Sequence, residues 1–399
     1  MQTKPNHYTH SRALSSRGRF RAVRMLTPES LARMLDRFHL GDIAQAAQAW
    51  DAIERRDDVL QGVVSKRKKA VARLGFEVIT LDASIEARRH KEALEYFYNN
   101  LTATHACDAN EQGGFSLLVK QMMDAVGKRY AVHELVFEPR EKGKKLTATF
   151  RHVPLWFFEN KTGRLRFLKS EGDLEGVELD AGAWMVSAGE GLMEASSIAY
   201  LFKHLPLRDW LVYCERNGMP GVKGVTDAVP GSPEWEFARK AVEDFGAEFN
   251  ALMSHGSDIQ AIDLTAGGTL PYPALIDRMD RALIALWRGS DLSTLSSSGG
   301  VGASVQQSET DLLEDDDALR ISETLNAQID RLVLKSLFGV DRGKAYVRLK
   351  IRDRRDRASD IEFLQKLHEM GVPLSLADVR ERFGLATPDA GEALLTSNA

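Results

Sequence analysis

The chain has 399 residues, 43% hydrophobic and 28% charged, with a formal net charge of −4. That length suits two or three packed subregions, and the composition excludes a largely disordered chain. The slight acidity argues against a protein that wraps nucleic acid by bulk electrostatics.

From Lys4 to Arg24 there are six basic residues (Lys4, Arg12, Arg17, Arg19, Arg21, Arg24) and no acid before Glu29. Residues 1–26 read as a flexible basic arm, free to lie on a partner or on DNA, or else as a solvated tail. The polar start, Met1 to Phe20, lacks the apolar core of a secretory signal. Thr27-Pro28-Glu29-Ser30 is a helix-start signal, and the spacing predicts a helix to His39. A second helix is expected from Asp42 to Trp50. From Asp57 to Leu74, Leu60, Val63, Val64, Val71 and Leu74 recur near helical spacing, with Lys66 to Lys69 predicted on a solvated face or against an acidic partner. Phe76 to Leu81 alternates like a strand.

Phe115 to Lys128 reads as one helix and Ala131 to Phe137 as a strand. Leu146 to Phe150, Leu155 to Phe158 and Leu165 to Leu168 form a strand-rich patch around an Asn160 to Gly163 turn. Met193 to Asn217 is one helical pattern, with a break or kink expected at Pro206. Gly218 to Val225 is Gly-rich and ends in a strand-like piece. Ser232-Pro233-Glu234 opens a helix expected to reach about Ser254. Ile259 to Leu264 is strand-like, and Pro273 to Trp287 is helical. Ser293 to Ser304 is expected to be a mobile loop, Leu312 to Leu337 one long helix, and Ile361 to Gly384 two short helices around Gly371-Val372-Pro373. The fold class is α+β, mainly helical. No internal repeat appears, and no stretch of about 18 uninterrupted apolar residues would span a bilayer.

Motifs of chemistry are scarce. Gly299 to Ser304 lacks the lysine of a P-loop and the strand of a dinucleotide site, so a loop is the better reading. Glu314 to Asp317 are consecutive, about 100° apart on a helix, and cannot all converge on one metal; an exposed acidic turn is expected. The ten histidines form no HExxH or HxH pair, and the serines occupy no GxSxG elbow. Cys107 and Cys214 lie far apart, so neither a disulfide scaffold nor a zinc site is expected, and a reducing cytosol suits the chain. No catalytic residue, metal or cofactor is assigned, and the chain is expected not to be an enzyme. Leu374 to Gly384 resembles the second half of a helix-turn-helix, which leaves a DNA-binding regulator as the alternative function. Asp378 and Glu381 would there meet phosphate.

Four segments in order resemble the portal family of Mu-like tailed phages, and the similarity runs over most of the chain. The first is Asp57 to Val78, a basic helix running into a strand. The second is Gly114-Phe115 with its helix and Tyr130 to Leu135. The third is Trp210 to Gly221, a helix ending in an acidic, polar, Gly-Pro turn. The fourth is Ile276 to Arg281 through Leu286-Trp287-Arg288-Gly289, followed by the Ser/Gly loop and Ser308-Glu309.

The resemblance implies a portal fold of wing, stem and clip, and a homo-oligomeric ring, usually a dodecamer, at one capsid vertex. It divides the chain into an α+β wing over residues 27–192 and stem helices over 193–255, with a clip insertion near 218–231. Residues 256–345 would hold the tunnel loop, a helix and the return to the wing, and 346–399 a C-terminal helical region. Thr265, Gly267, Gly268 and Thr269 would lie on the tunnel loop at the DNA, and Gly218, Pro220 and Lys223 on the clip. Implied partners are the large terminase subunit, major capsid and scaffold proteins, neck and tail connector proteins, and double-stranded DNA as non-specific cargo for packaging and ejection, with no membrane. The implied location is the virion, after assembly in the bacterial host cytoplasm. A near-neutral chain suits a conduit, since each fixed phosphate contact would add a binding well along the DNA path.

Overall fold

The computed structural model describes residues 26–140, 145–170, 173–218, 223–245, 251–254, 270–289, 300–351, 357–373 and 375–383. The basic arm lies outside them. Three helices open the described chain: α1 (Pro28–His39), α2 (Ala44–Arg56) and α3 (Asp58–Ala72). Thr27 and Ser30 form a reciprocal capping box at α1, and the Asp57 carboxylate accepts the Leu60 N–H at 2.8 Å to cap α3. Leu31, Met34 and Phe38 are buried on α1 at three- and four-residue spacing, facing Trp50 and Ile53 on α2. Gly41 adopts φ +90, and a Cβ there would lie 2.5 Å from the Asn160 backbone, whose N–H donates to the Gly41 carbonyl.

The run Lys66 to Lys69 is not a solvated face. Lys66 and Lys69 are exposed, but Arg67 and Lys68 are buried. At 100° per residue, Leu60, Val64, Arg67 and Val71 fall on one stripe, so the core claims the middle of the basic run.

β1 (Phe76–Thr80) follows, then α4 (Ile85–Asn100) and β2 (Thr102–His105), neither of which the sequence patterns predict. The remaining α+β elements are β3 (Gln112–Gly113), α5 (Phe115–Met122), α6 (Asp124–Lys128), β4 (Tyr130–Arg140), β5 (Lys145–Val153), a 3-10 turn (Leu155–Phe157), β6 (Phe158–Glu159), β7 (Arg166–Phe167), β8 (Val177–Glu178) and β9 (Trp184–Ala188). The single helix expected over Phe115 to Lys128 is therefore two, breaking at Met123. The expected strand at Leu155 to Phe158 is mostly the 3-10 turn.

α7 (Met193–Gly218) runs through Pro206 without the break that was one of the two expected outcomes, and the missing N–H leaves the Phe202 carbonyl without its intrahelical partner. β10 (Lys223–Thr226), α8 (Pro233–Phe245) and β11 (Ala251–Ser254) come next. The helix predicted to reach Ser254 ends as α8 because Ala251 to Ser254 pairs in parallel with β10, and a parallel pair needs a crossover helix. α9 (Tyr272–Arg288) precedes α10 (Gly300–Leu325), a π-helical turn (Asn326–Asp330), α11 (Arg331–Phe338) and β12 (Ala345–Leu349). Gly300 to Ser304 is thus helical rather than loop, and the long helix from Leu312 widens at Asn326. The strand-like Ile259 to Leu264 and residues 293–299 lie outside the described residues.

The largest sheet has the order β3-β2-β5-β4-β9, with β2 and β5 parallel and the other pairs antiparallel. β1 and β12 form an antiparallel pair, and β6-β7-β8 a small antiparallel sheet. α4 packs on β5, β1 and β12 together. Three side chains at the π turn and the end of α10 seal the gap between these sheets. Gln328 exchanges two hydrogen bonds with the Val186 backbone of β9, at 3.0 and 2.8 Å. Asp330 accepts the Val347 N–H at 2.8 Å, and Ser322 the Leu349 N–H at 3.0 Å, on β12. One core runs from Leu31 to Leu349, with Trp50, Phe97, Phe150, Phe157 and Trp287 fully enclosed.

Residues 351–399 form a second unit. Its described part is α12 (Arg357–Glu369) and α13 (Leu376–Phe383), separated by a turn at Gly371 with φ +82. These are the two short helices expected around Gly371-Val372-Pro373.

Candidate functional site

α7 and α9 lie antiparallel, and buried polar groups lock their inner ends to α3 and α10. The Trp287 indole N–H donates to Ser196 Oγ at 2.9 Å. One step outward, Lys203 Nζ lies 2.6 Å from Asp280, 2.9 Å from Asp58 and 3.1 Å from Asp57. His204 Nε2 is 3.1 Å from Asp57. Burial alone would raise the Asp57 carboxyl, but hydrogen bonds from His204 and the Leu60 N–H, with the charge of Lys203, outweigh it and hold it at about 2. Burial opposes the Lys203 charge, yet its three carboxylates raise it above the usual lysine range. Gly127 of α6 completes this root: a Cβ there would lie 2.9 Å from the Trp287 ring and 3.2 Å from Met193.

Arg67 joins α3 to α10 and α9. Its guanidinium meets both oxygens of Asp317, at 2.7 and 3.1 Å, and reaches the Trp287 carbonyl at 3.3 Å. This overturns the expected exposed turn at Glu314 to Asp317, where Glu314 and Asp317 are buried and Asp316 is exposed. The helical turn that separates consecutive acids also carries two of them inward. Among the described residues no three His, Cys, Asp or Glu side chains are grouped to hold a metal ion.

Outward from this root, large apolar side chains among the described residues are exposed. Leu211 on α7 is 63% exposed, and Phe237 on α8 is 79% exposed. The β10-α8-β11 module between α7 and α9 has only two strands, whose outer edges pair with no strand among the described residues. Parallel sheets are normally covered on both faces, and two strands alone are marginal in water.

A second polar feature lies among α2, α3, α6 and the largest sheet. A cleft of about 510 Å³ is lined by Asp51, Glu54, Lys68, Asp124, Lys128 and His152, among others. Lys68 reaches Glu54 and Asp124 at 2.6 Å each, and Lys128 contacts Asp51 and, at 2.8 Å, Asp124. Strand register sets His105, His152 and His133 in one row across β2, β5 and β4, with ring centroids 5.2 Å apart in each step. Burial drives His152 down to about 3 despite the nearby Asp124, and holds His133 well below the usual histidine range. No sequence motif signals this row, because its members are joined only by strand pairing.

Of the residues expected at partner surfaces, Gly218 ends α7 and Lys223 opens β10. Pro220 and the expected tunnel residues Thr265, Gly267, Gly268 and Thr269 lie outside the described residues. Of the expected site residues, Gly218 and Lys223 alone are among those the structure describes.

The architecture is thus an α+β body bearing an anchored helix pair, with a small module between those helices. The chain belongs to the family described as the portal protein of Mu bacteriophage, which it matches over residues 47–385. It is 24% identical over 280 residues to the portal protein of Escherichia phage Mu, covering 67% of this chain and 52% of that one. It is 20% identical over 281 residues, with the same coverage, to the Mu-like prophage FluMu protein gp29 of Haemophilus influenzae. The chain spans about half the length of these curated relatives. A chain from the neck of an empty gene transfer agent particle shares the fold, with a TM-score of 0.52 at 13% identity over 88% of this chain and 100% of that one.

Proposed function

We propose that the chain is a subunit of the portal ring at one capsid vertex, through which double-stranded DNA is packaged and ejected. Membership of the Mu portal family over residues 47–385 carries this reading. The α+β body would form the wing, α7 and α9 the stem, and the β10-α8-β11 module the clip that faces terminase and later the neck proteins. The segment holding Thr265 to Thr269 would approach the DNA. Capsid and scaffold proteins would meet the wing. The role is that of a conduit and not a catalyst.

Exposed apolar side chains on α7 and α8, and a module with unpaired edges, support assembly into a ring. A head-to-tail contact repeated about an axis buries such surfaces without leaving an end. Nothing in the fold or the relatives supports the alternative of a sequence-reading regulator. Native mass spectrometry and negative-stain microscopy test the proposal. Closed rings near 530 kDa, about twelve copies of the 44.4 kDa chain, are expected. A stable monomer at every concentration would overturn it.

A further inference from the structure

We propose that α3 of one copy lies alongside α10 of the next, so that a basic stripe on the first meets an acidic, leucine-bearing stripe on the second. This contact rests on the ring reading and names the surfaces that meet.

Two helical faces match residue by residue. On α3, Gly62, Lys66 and Lys69, with Arg73 at its C-cap, are exposed at spacings of four, three and four. On α10, Leu312, Asp316, Leu319 and Glu323 are exposed at the same spacings. Such intervals keep residues on one face of a helix. Laid parallel, the faces set Leu312 over Gly62, Asp316 against Lys66, Leu319 along the stem of Lys69, and Glu323 against Arg73. Lys66 and Arg73 are as far apart along their helix as Asp316 and Glu323 along theirs, a rise of about 10 Å, so both ion pairs form together. Laid antiparallel, one acid alone would meet a cation, and Glu323 would meet Gly62. Charge therefore fixes the direction of docking as well as the partner.

Neither face is satisfied within its own chain. Lys66, Lys69, Arg73 and Glu323 form no ion pair among the described residues. Asp316 is paired with Arg320 of its own helix at 3.0 Å, an exposed contact of little strength. Leu312 is 67% and Leu319 49% exposed. Gly62 sits inside α3, where glycine is a poor helix former, yet a Cβ there would meet nothing within 4 Å. Its own chain gives no reason for bare backbone at that point. A leucine from a neighbouring helix does, because it approaches closest where no side chain stands.

The two faces also look away from each other. Arg67 on α3 meets Asp317 on α10 at 2.7 and 3.1 Å. At about 100° per residue, each exposed face centres about 130° from that contact. Neither therefore turns toward its mate in the same chain. One copy carries a basic face and an acidic face on different sides of a single joint. Two different patches of one chain make a heterologous contact, the kind that closes rings. Because a single chain carries both halves, matched in charge and spacing, a second copy is the occupant.

The test uses the full chain. Unlabelled and nitrogen-15-labelled protein are mixed, assembled and treated with a zero-length carbodiimide. Mixed-isotope peptides joining Lys66 to Asp316 are expected. The double variant Lys66→Glu with Arg73→Glu should need a roughly tenfold higher concentration to assemble. Adding Asp316→Lys with Glu323→Lys should restore assembly. All four positions are exposed, so a melting temperature close to that of the unmodified chain separates docking from folding. Gly62→Met should raise the melting temperature of the unassembled chain, through better helix propensity, while weakening assembly. A purely structural glycine would not split the two readouts in that way. Unmodified rings that give no such crosslink, with the reversed variant assembling as well as they do, would overturn this contact and leave the ring standing. If that variant assembles normally but loses affinity for a double-stranded DNA fragment, the basic stripe belongs to nucleic acid and the contact is likewise overturned. An unmodified chain that never assembles would overturn the ring reading and this contact with it.

Discussion

Arg67 meets Asp317 inside the core, so removal of either partner leaves a charge without solvent. Arg67→Met is expected to lower the unfolding free energy by about 3–5 kcal/mol, read from urea denaturation, and Asp317→Leu added to it should recover much of the loss. The histidine row makes a pH-dependent contribution. His133 and His152 are held below the unfolded histidine value, so the unfolded chain binds more protons as acidity rises. Stability is full above about pH 6.5 and is lost as pH falls toward the folded values, by roughly 2 kcal/mol per buried histidine at pH 5. Asp330 acts in the opposite sense. Burial raises it to about 6 despite its bond from Tyr98, so the cost of its charge is relieved as pH drops through that value. Asp330→Asn should therefore steepen the loss of stability between pH 6.5 and 5, and an unchanged slope would contradict that assignment.

At the scale of elements, the π turn holds most of the consequence. Widening α10 at Asn326 carries Gln328 to β9 and Asp330 to β12, which a uniform helix would not align with both. Gln328→Ala opens the β9 edge and should cost about 1–3 kcal/mol, with faster amide exchange at Val186 as its local signature. This turn was illegible in the sequence because the apolar period continues from Leu325 through Ile329 to Val333. α4 was missed for a related reason: its buried Ala87, His90, Leu94 and Phe97 are interrupted by a strongly charged surface. By contrast α1, α3, β1, β4 and α9 could be read, because their caps or alternation are local properties. The charged root could not. Asp57, Lys203 and Asp280 are distant in sequence, and only packing places them within 3.1 Å.

For the whole molecule, the core closes at Leu349, just before the second unit begins at Ile351. Truncation after Lys350 should leave the first unit with one cooperative thermal transition, shifted by only a few degrees. Gly127→Ala, by contrast, presses on Trp287 and should cost about 1–3 kcal/mol throughout that unit. The family was legible from ordered segments of the sequence, whereas the route between its regions depends on pairings that no single segment displays. The helix pair has one more implication. From Lys203 to Gly218 the rise of an α-helix gives about 22 Å of rod beyond its last buried charge. Mechanically it is a cantilever: load applied at the tip becomes torque at Asp57, Lys203 and Asp280, and Pro206, just beyond them, is the most compliant point of the rod.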